Sequence, residues 1–180
     1  YPETFATKFH EKHWGSISKH PYLLASYVWN TFDFATPVNT QGGVEARNMK
    51  GLVTFDRKTK KDPFYWYKAN WSKEPVLYLT QRRAINRKNE ITPVTVYSNR
   101  GIPQLFVNGM EIKDFSKGTT PVHYIFNDVR LKEGENIVLV RINDNGNILE
   151  DKIIWIYSPD NKKTETKNDL KKNTTEHIGL

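Results

Sequence analysis

Cysteine is missing from this chain of 180 residues. Its absence excludes disulfides, a thiolate nucleophile and a cysteine-ligated zinc. Also missing is any apolar run of the roughly 20 residues needed to cross a membrane, and no signal-peptide pattern opens at Tyr1. Carboxylates are scarce early on: Glu3 and Glu11 are the only ones ahead of Trp29. Both fall in a helical pattern rather than at a strand end, so neither is assigned catalysis. The charge balance is short of acid, with a formal net charge of +7. Basic clusters stand at Arg57-Lys58, Lys60-Lys61, Arg82-Arg83 and Arg87-Lys88. No nucleic-acid motif accompanies them, so they read as solvated surface rather than a phosphate-binding face.

What the chain does have is aromatics, at 13% of residues, enough for a packed core. Its most informative stretch begins as a nearly unbroken apolar run, Tyr22 to Trp29. A strand buried on both faces of a parallel sheet reads this way. The run ends in Trp29-Asn30-Thr31-Phe32-Asp33-Phe34. A buried strand whose C-terminal end carries Trp and polar groups is how a (β/α)₈ barrel presents its site. Such a barrel takes about 250 residues, so this chain reads as the end of a larger protein.

Around that run the pattern is helical. Thr4 to Ser18 places Ala6, Phe9, His13 and Ile17 on one face, with Trp14 at its edge. Lys19-His20-Pro21 stops it, because the residue before proline is pushed out of the helical region. Thr36 to Asn48 is a polar loop holding Gly42-Gly43, and Gly51 to Phe55 looks extended. Asp62-Pro63 predicts a helix start, with Asp62 as cap and proline in the first turn. The helix to Trp71 is aromatic on every side, which predicts cover on more than one face. His10 and His13 do not make the His-Glu-x-x-His pattern, so no metal is assigned to them.

From Val76 the period changes to two. Strands are predicted over 76–82, 92–98, 104–107, 122–126, 136–142 and 148–157. Asn108-Gly109, Lys132-Glu133-Gly134 and Asp144-Asn145-Gly146 separate some of them as turns. Short strands at this spacing predict an antiparallel immunoglobulin-like sandwich of about 80–100 residues. Residues 160–180 are Lys, Asn, Thr and Glu with few apolar side chains, and read as a disordered tail.

Three stretches carry a family resemblance: His10-Glu11-Lys12-His13-Trp14, Val28 through Phe34, and Asn48-Met49-Lys50-Gly51 through Lys58 together with Tyr67 to Trp71. With this order of elements the chain resembles glycoside hydrolase family 2, in particular β-galactosidases of the Bacteroides type. The resemblance implies a mixed fold: residues 1–74 as an α/β fragment of a TIM barrel (its last strand and flanking helices), 75–159 as the immunoglobulin-like sandwich, and 160–180 as tail. It implies the C-terminal portion of a retaining exo-glycosidase acting on terminal β-galactosides, with no cofactor. The partner is then a carbohydrate substrate and the upstream part of the same polypeptide. No nucleic acid or membrane is implied. A periplasmic or extracellular location comes with the resemblance, not from these residues.

Retaining glycosidases use two carboxylates about 5–5.5 Å apart. The resemblance implies that both lie upstream of Tyr1, so no catalytic residue is assigned within the chain. It puts Trp29 beneath the sugar, where a flat ring covers apolar C–H faces, and a cis peptide bond often follows this Trp in the family. Asp33 either orients the pocket or anchors a loop by a hydrogen bond. Asn48 and Lys50 match an Asn-x-Lys pair that contacts the sugar carboxylate in β-glucuronidases, so a β-glucuronidase or galacturonidase is the alternative. A non-catalytic carbohydrate-binding sandwich is a third reading. It predicts an exposed aromatic row, for which Tyr78, Tyr97, Tyr124 and Tyr157 are the candidates.

Overall fold

The computed structural model describes residues 3–38 and 44–159. The predicted tail and Gly42-Gly43 lie outside the described residues. Two helices, α1 (Glu3–Ile17) and α2 (Asp62–Trp71), pack together and against a β-sandwich. No helix among the described residues is long and apolar enough to cross a membrane.

Strands β1 (Phe34–Ala35) and β2 (Arg47–Asn48) form a small antiparallel pair. The sandwich follows: β3 (Leu77–Leu79), β4 (Asn86–Arg87), β5 (Ile91–Ser98), β6 (Gln104–Val107), β7 (Met110–Ile112), β8 (Ser116–Lys117), β9 (His123–Arg130), β10 (Gly134–Asp144) and β11 (Asn147–Tyr157). One sheet runs β4-β11-β10-β6-β7 and the other β3-β5-β9-β8. Alternation fixes the inner face. Val138, Val140 and Ile142 point inward from β10 while Ile137 points out. Val138 and Val140 meet Leu79, Val94, Val96, Leu105, Phe126 and Trp155 in one core.

Turn chemistry sets the register. The β6–β7 hairpin closes through Asn108 and Gly109, both at positive φ, and the β10–β11 hairpin through Asn145 and Gly146 in the same way. Pro93 has no N–H to donate, and the β5–β9 register shifts there, between Thr92 and Val94. Asp151 of β11 ties the sheets together, accepting from Leu79 N at 2.7 Å and from Arg82 at 2.5 Å.

Two expectations are corrected. Residues 22–29 form no strand, and among the described residues no backbone hydrogen bond involves residues 24–29. Tyr22, Leu24, Tyr27 and Trp29 are exposed. A strand needs a neighbouring ladder, and none of the described residues supplies one. Asp62 does not cap α2. Its carboxylate turns to the sandwich, accepting from Tyr78 Oη at 2.7 Å and Gln81 N at 2.6 Å. Glu3 takes over, accepting the Asp62 N–H at 2.6 Å while also gripping Arg83.

Candidate functional site

Helix α1 is unusual in which face it buries. The side packed against α2 and the sandwich is largely polar, carrying Thr7, His10, Glu11 and Gly15, with Trp14 edge-on to Tyr67 and Trp71 of α2. Gly15 is required there: a Cβ would stand 2.4 Å from Thr119 Cβ. The apolar stripe of Ala6, Phe9 and Ile17 faces the other way, into a cavity of about 580 Å³. The opposite wall is Ser26 to Trp29 with Met49 and Lys50, and Tyr67 and Trp71 of α2 close one side.

Of the four residues expected at a sugar site, the structure brings Trp29 and Lys50 to this cavity. Trp29 is 70% exposed and meets Phe34 edge-on at 6.0 Å. The Trp29–Asn30 peptide is cis. Asn48 does not line the cavity. Its Oδ1 accepts the Lys50 N–H at 3.0 Å, so it shapes the loop carrying the lysine. Asp33 is fully buried and does not line the cavity; its carboxylate is taken up by contacts within the chain. Its carboxylate pairs with Lys61 Nζ at 2.8 Å and accepts Gly51 N–H at 2.8 Å. Gly51 is needed for this approach, since a Cβ would lie 2.1 Å from Asp33 N.

The stretch His10 to Trp14 contributes Glu11, but no motif in the sequence marks the rest of the polar seam behind the cavity. Tyr97 Oη donates to Glu11 Oε1 at 2.5 Å, and His123 Nε2 stands 3.5 Å from the same oxygen. Burial pushes Glu11 up to about 7 against the pull of Tyr97's hydrogen bond, with Asp62's charge adding to the rise. Burial takes His123 down to about 4, so its imidazole is neutral at pH 7 and its approach to Glu11 is no ion pair. Its Nδ1 accepts from Thr119 N at 3.2 Å, which leaves the proton on Nε2. His10, at the cavity wall, has Nδ1 2.9 Å from Tyr67 Oη; burial lowers it to about 4 and raises Tyr67 to about 12. The aromatics of α2 serve packing. Trp66 lies buried between Tyr97 and His123, and Tyr65 stacks on Tyr78 at 3.9 Å.

No carboxylate lines the cavity among the described residues. Its lining includes the Trp29 indole, Lys50, the imidazoles of His10 and His13, and apolar side chains. That set can bind a sugar but lacks the paired carboxylates of glycoside hydrolysis. The sandwich offers no exposed tyrosine row either: Tyr78, Tyr97 and Tyr124 are buried, and Tyr157 packs on the core.

No protein-family model matches the chain. A β-glucuronidase of Bacteroides fragilis is 39% identical over 141 residues, 78% of this chain and 20% of that protein. A solved Bacteroides fragilis structure, described as a "putative beta-galactosidase", superposes with a TM-score of 0.86 at 57% identity, over 88% of this chain and 24% of that one. Bacteroides uniformis β-glucuronidase 3 superposes with a TM-score of 0.75 at 26% identity, over 84% of this chain and 20% of that one. The chain is thus homologous to one segment of these glycosidases, and spans about a fifth of the curated relative's length.

Proposed function

We propose that this chain is the C-terminal portion of a retaining exo-glycosidase of glycoside hydrolase family 2. In this reading the segment up to residue 74 supplies the last strand and flanking helices of a (β/α)₈ barrel. Residues 75–159 are an accessory sandwich of immunoglobulin type. The observation that carries it is the unpartnered run ending in Trp29. Residues 24–29 make no backbone hydrogen bond among the described residues, and the apolar stripe of α1 flanks the same opening. A neighbouring strand from the upstream polypeptide would satisfy the first and cover the second. The two catalytic carboxylates would come from that upstream part.

Trp29 then forms the floor of the sugar subsite. The substrate we favour is a terminal β-galactoside, supported by the 57% identity to the protein described as a "putative beta-galactosidase". Lys50 at the cavity wall favours a second reading, a β-glucuronide, because an ammonium group suits a sugar carboxylate. The 39% identity to a β-glucuronidase supports it.

Kinetics on aryl β-galactoside and β-glucuronide with the full-length protein test both. Trp29→Ala should lower kcat/KM by about 10²-fold, since it removes transition-state positioning along with binding. Lys50→Ala should matter a few-fold for a galactoside. For a uronide it should cost about 10²-fold, because only there is a carboxylate left unpaired. Wild-type kinetics for Trp29→Ala would show that the ring is packing and that the site lies elsewhere.

A further inference from the structure

Beneath the cavity wall lies a charge pair that fixes the backbone on both sides of one lining residue. Asp33 and Lys61 have side chains 0% and 9% exposed. Lys61 Nζ donates to Asp33 Oδ1 at 2.8 Å, to Asp33 Oδ2 at 2.9 Å and to the Met49 carbonyl at 3.1 Å. All three ammonium protons therefore have acceptors. Asp33 Oδ1 also accepts the Gly51 N–H at 2.8 Å. Met49 and Gly51 are the two neighbours of Lys50. One is held through its carbonyl and the other through its N–H, by opposite ends of the same ion pair.

The surroundings make this grip stiff. Asp33 N donates to Val53 O at 3.0 Å, and Arg57 donates to the Asp33 carbonyl at 3.1 Å while lying over Phe32. Lys61 is the N-cap residue of α2, which anchors its backbone to a helix. Asp33 follows Trp29 by four residues. The pair thus joins the end of the Trp29 segment, the Lys50 segment and the start of α2.

We infer that the Asp33–Lys61 pair is a positioning device that holds Lys50 against the cavity at a fixed place relative to Trp29. A buried ion pair is poor stabilisation compared with apolar residues of the same volume. Its geometric value is that a charge-assisted bond tolerates little displacement. Lys61 and Asp33 touch no substrate; they act through Lys50. The inference rests on the reading that the sugar lies at Trp29 and Lys50.

A double-mutant cycle in the full-length protein tests it, with KM and kcat measured on both aryl glycosides. Lys61→Met should raise KM by the same factor as Lys50→Ala, at least about threefold, with kcat within about twofold. On the Lys50→Ala background, Lys61→Met should add nothing, because the residue it positions has gone. If Lys61→Met does not fold, Asp33→Asn runs the same cycle; its amide oxygen still accepts the Gly51 N–H while the charge is lost. Losses that multiply across the cycle, or an unchanged KM in the Lys61→Met or Asp33→Asn protein, overturn the inference. Failure of the underlying reading looks different: Lys50→Ala and Trp29→Ala would themselves leave KM and kcat untouched.

Discussion

Replacing Glu11 by glutamine should change how stability depends on pH, by an amount the seam between α1 and the sandwich sets. The groups facing Glu11 are Tyr97 of β5, His123 of β9, Asp62 of α2 and Lys8 of its own helix. His123 is held neutral, so it does not balance an ionised Glu11. Burial raises Glu11 from 4.5 to about 7. Between those values the folded chain keeps the Glu11 proton and the unfolded chain releases it. Stability therefore falls as pH rises through this window, by about 1.4 kcal/mol per unit and up to about 3 kcal/mol across it. His10 and His123 work the other way between about 4 and 6.5, because only the unfolded state protonates them there. The wild-type profile is thus a composite, and the substitution isolates one component. The amide introduced by Glu11→Gln keeps an acceptor for Tyr97 and carries no charge. Denaturant midpoints for wild type and Glu11→Gln, followed by tryptophan fluorescence at pH 5, 6, 7 and 8, read the difference. The variant should gain on wild type steadily with pH and level off above about pH 8. A gap that stays flat, or one that closes as pH rises, would refute the assignment of Glu11 as a buried, proton-retaining acid.

Trp66→Ala removes a fully buried indole packed on Tyr97 and His123, and should destabilise the protein by about 3–5 kcal/mol in denaturant unfolding; a loss under about 1 kcal/mol would mean the cluster closes over the gap. Gly51→Ala drives a Cβ to within 2.2 Å of backbone atoms of Phe32 and Asp33. It should lower the thermal midpoint more than Gly109→Ala, where the strain is only a positive φ of 84° with open space around it and is worth about 1–2 kcal/mol. The reverse order would show that the 32–33 and 51 segments can part freely.

The sandwich was legible because its strands repeat at period two and its hairpins carry Asn-Gly. β6 falls on residues 104–107 as expected, and β10 and β11 differ by two residues or fewer at each end. β4, β7 and β8 were missed. They are two or three residues long and mostly exposed, so no periodicity announces them. The helices were legible from capping and proline rules, but Asp62 was drawn away from its cap by Tyr78 and Arg83, contacts that sequence proximity does not encode. Trp29 and Lys50 stand out in the sequence because they sit at the end of an apolar run and in a spaced pair, and both line the cavity. Asp33 stands out beyond the end of the apolar run, yet its partner Lys61 lies 28 residues on, inside what reads as a solvated basic cluster. The Glu11–Tyr97–His123 seam joins three elements far apart in the chain, and only the fold brings them together.

The aromatic cluster between α2 and the sandwich makes the helix and the strands that follow it energetically one body. Trp66, Tyr67 and Ala69 of α2 share one core with Val76, Tyr78 and Tyr97 of the strand region. Cleaving the chain between them would strip a sheet of its cover and leave Tyr78, Tyr97 and His123 facing water. The helix and that sheet therefore open as one cooperative unit, and their slowest amides should exchange with solvent together. Residues 24–29, with no ladder of their own among the described residues, belong to the fast-exchanging fraction until another segment lies alongside them.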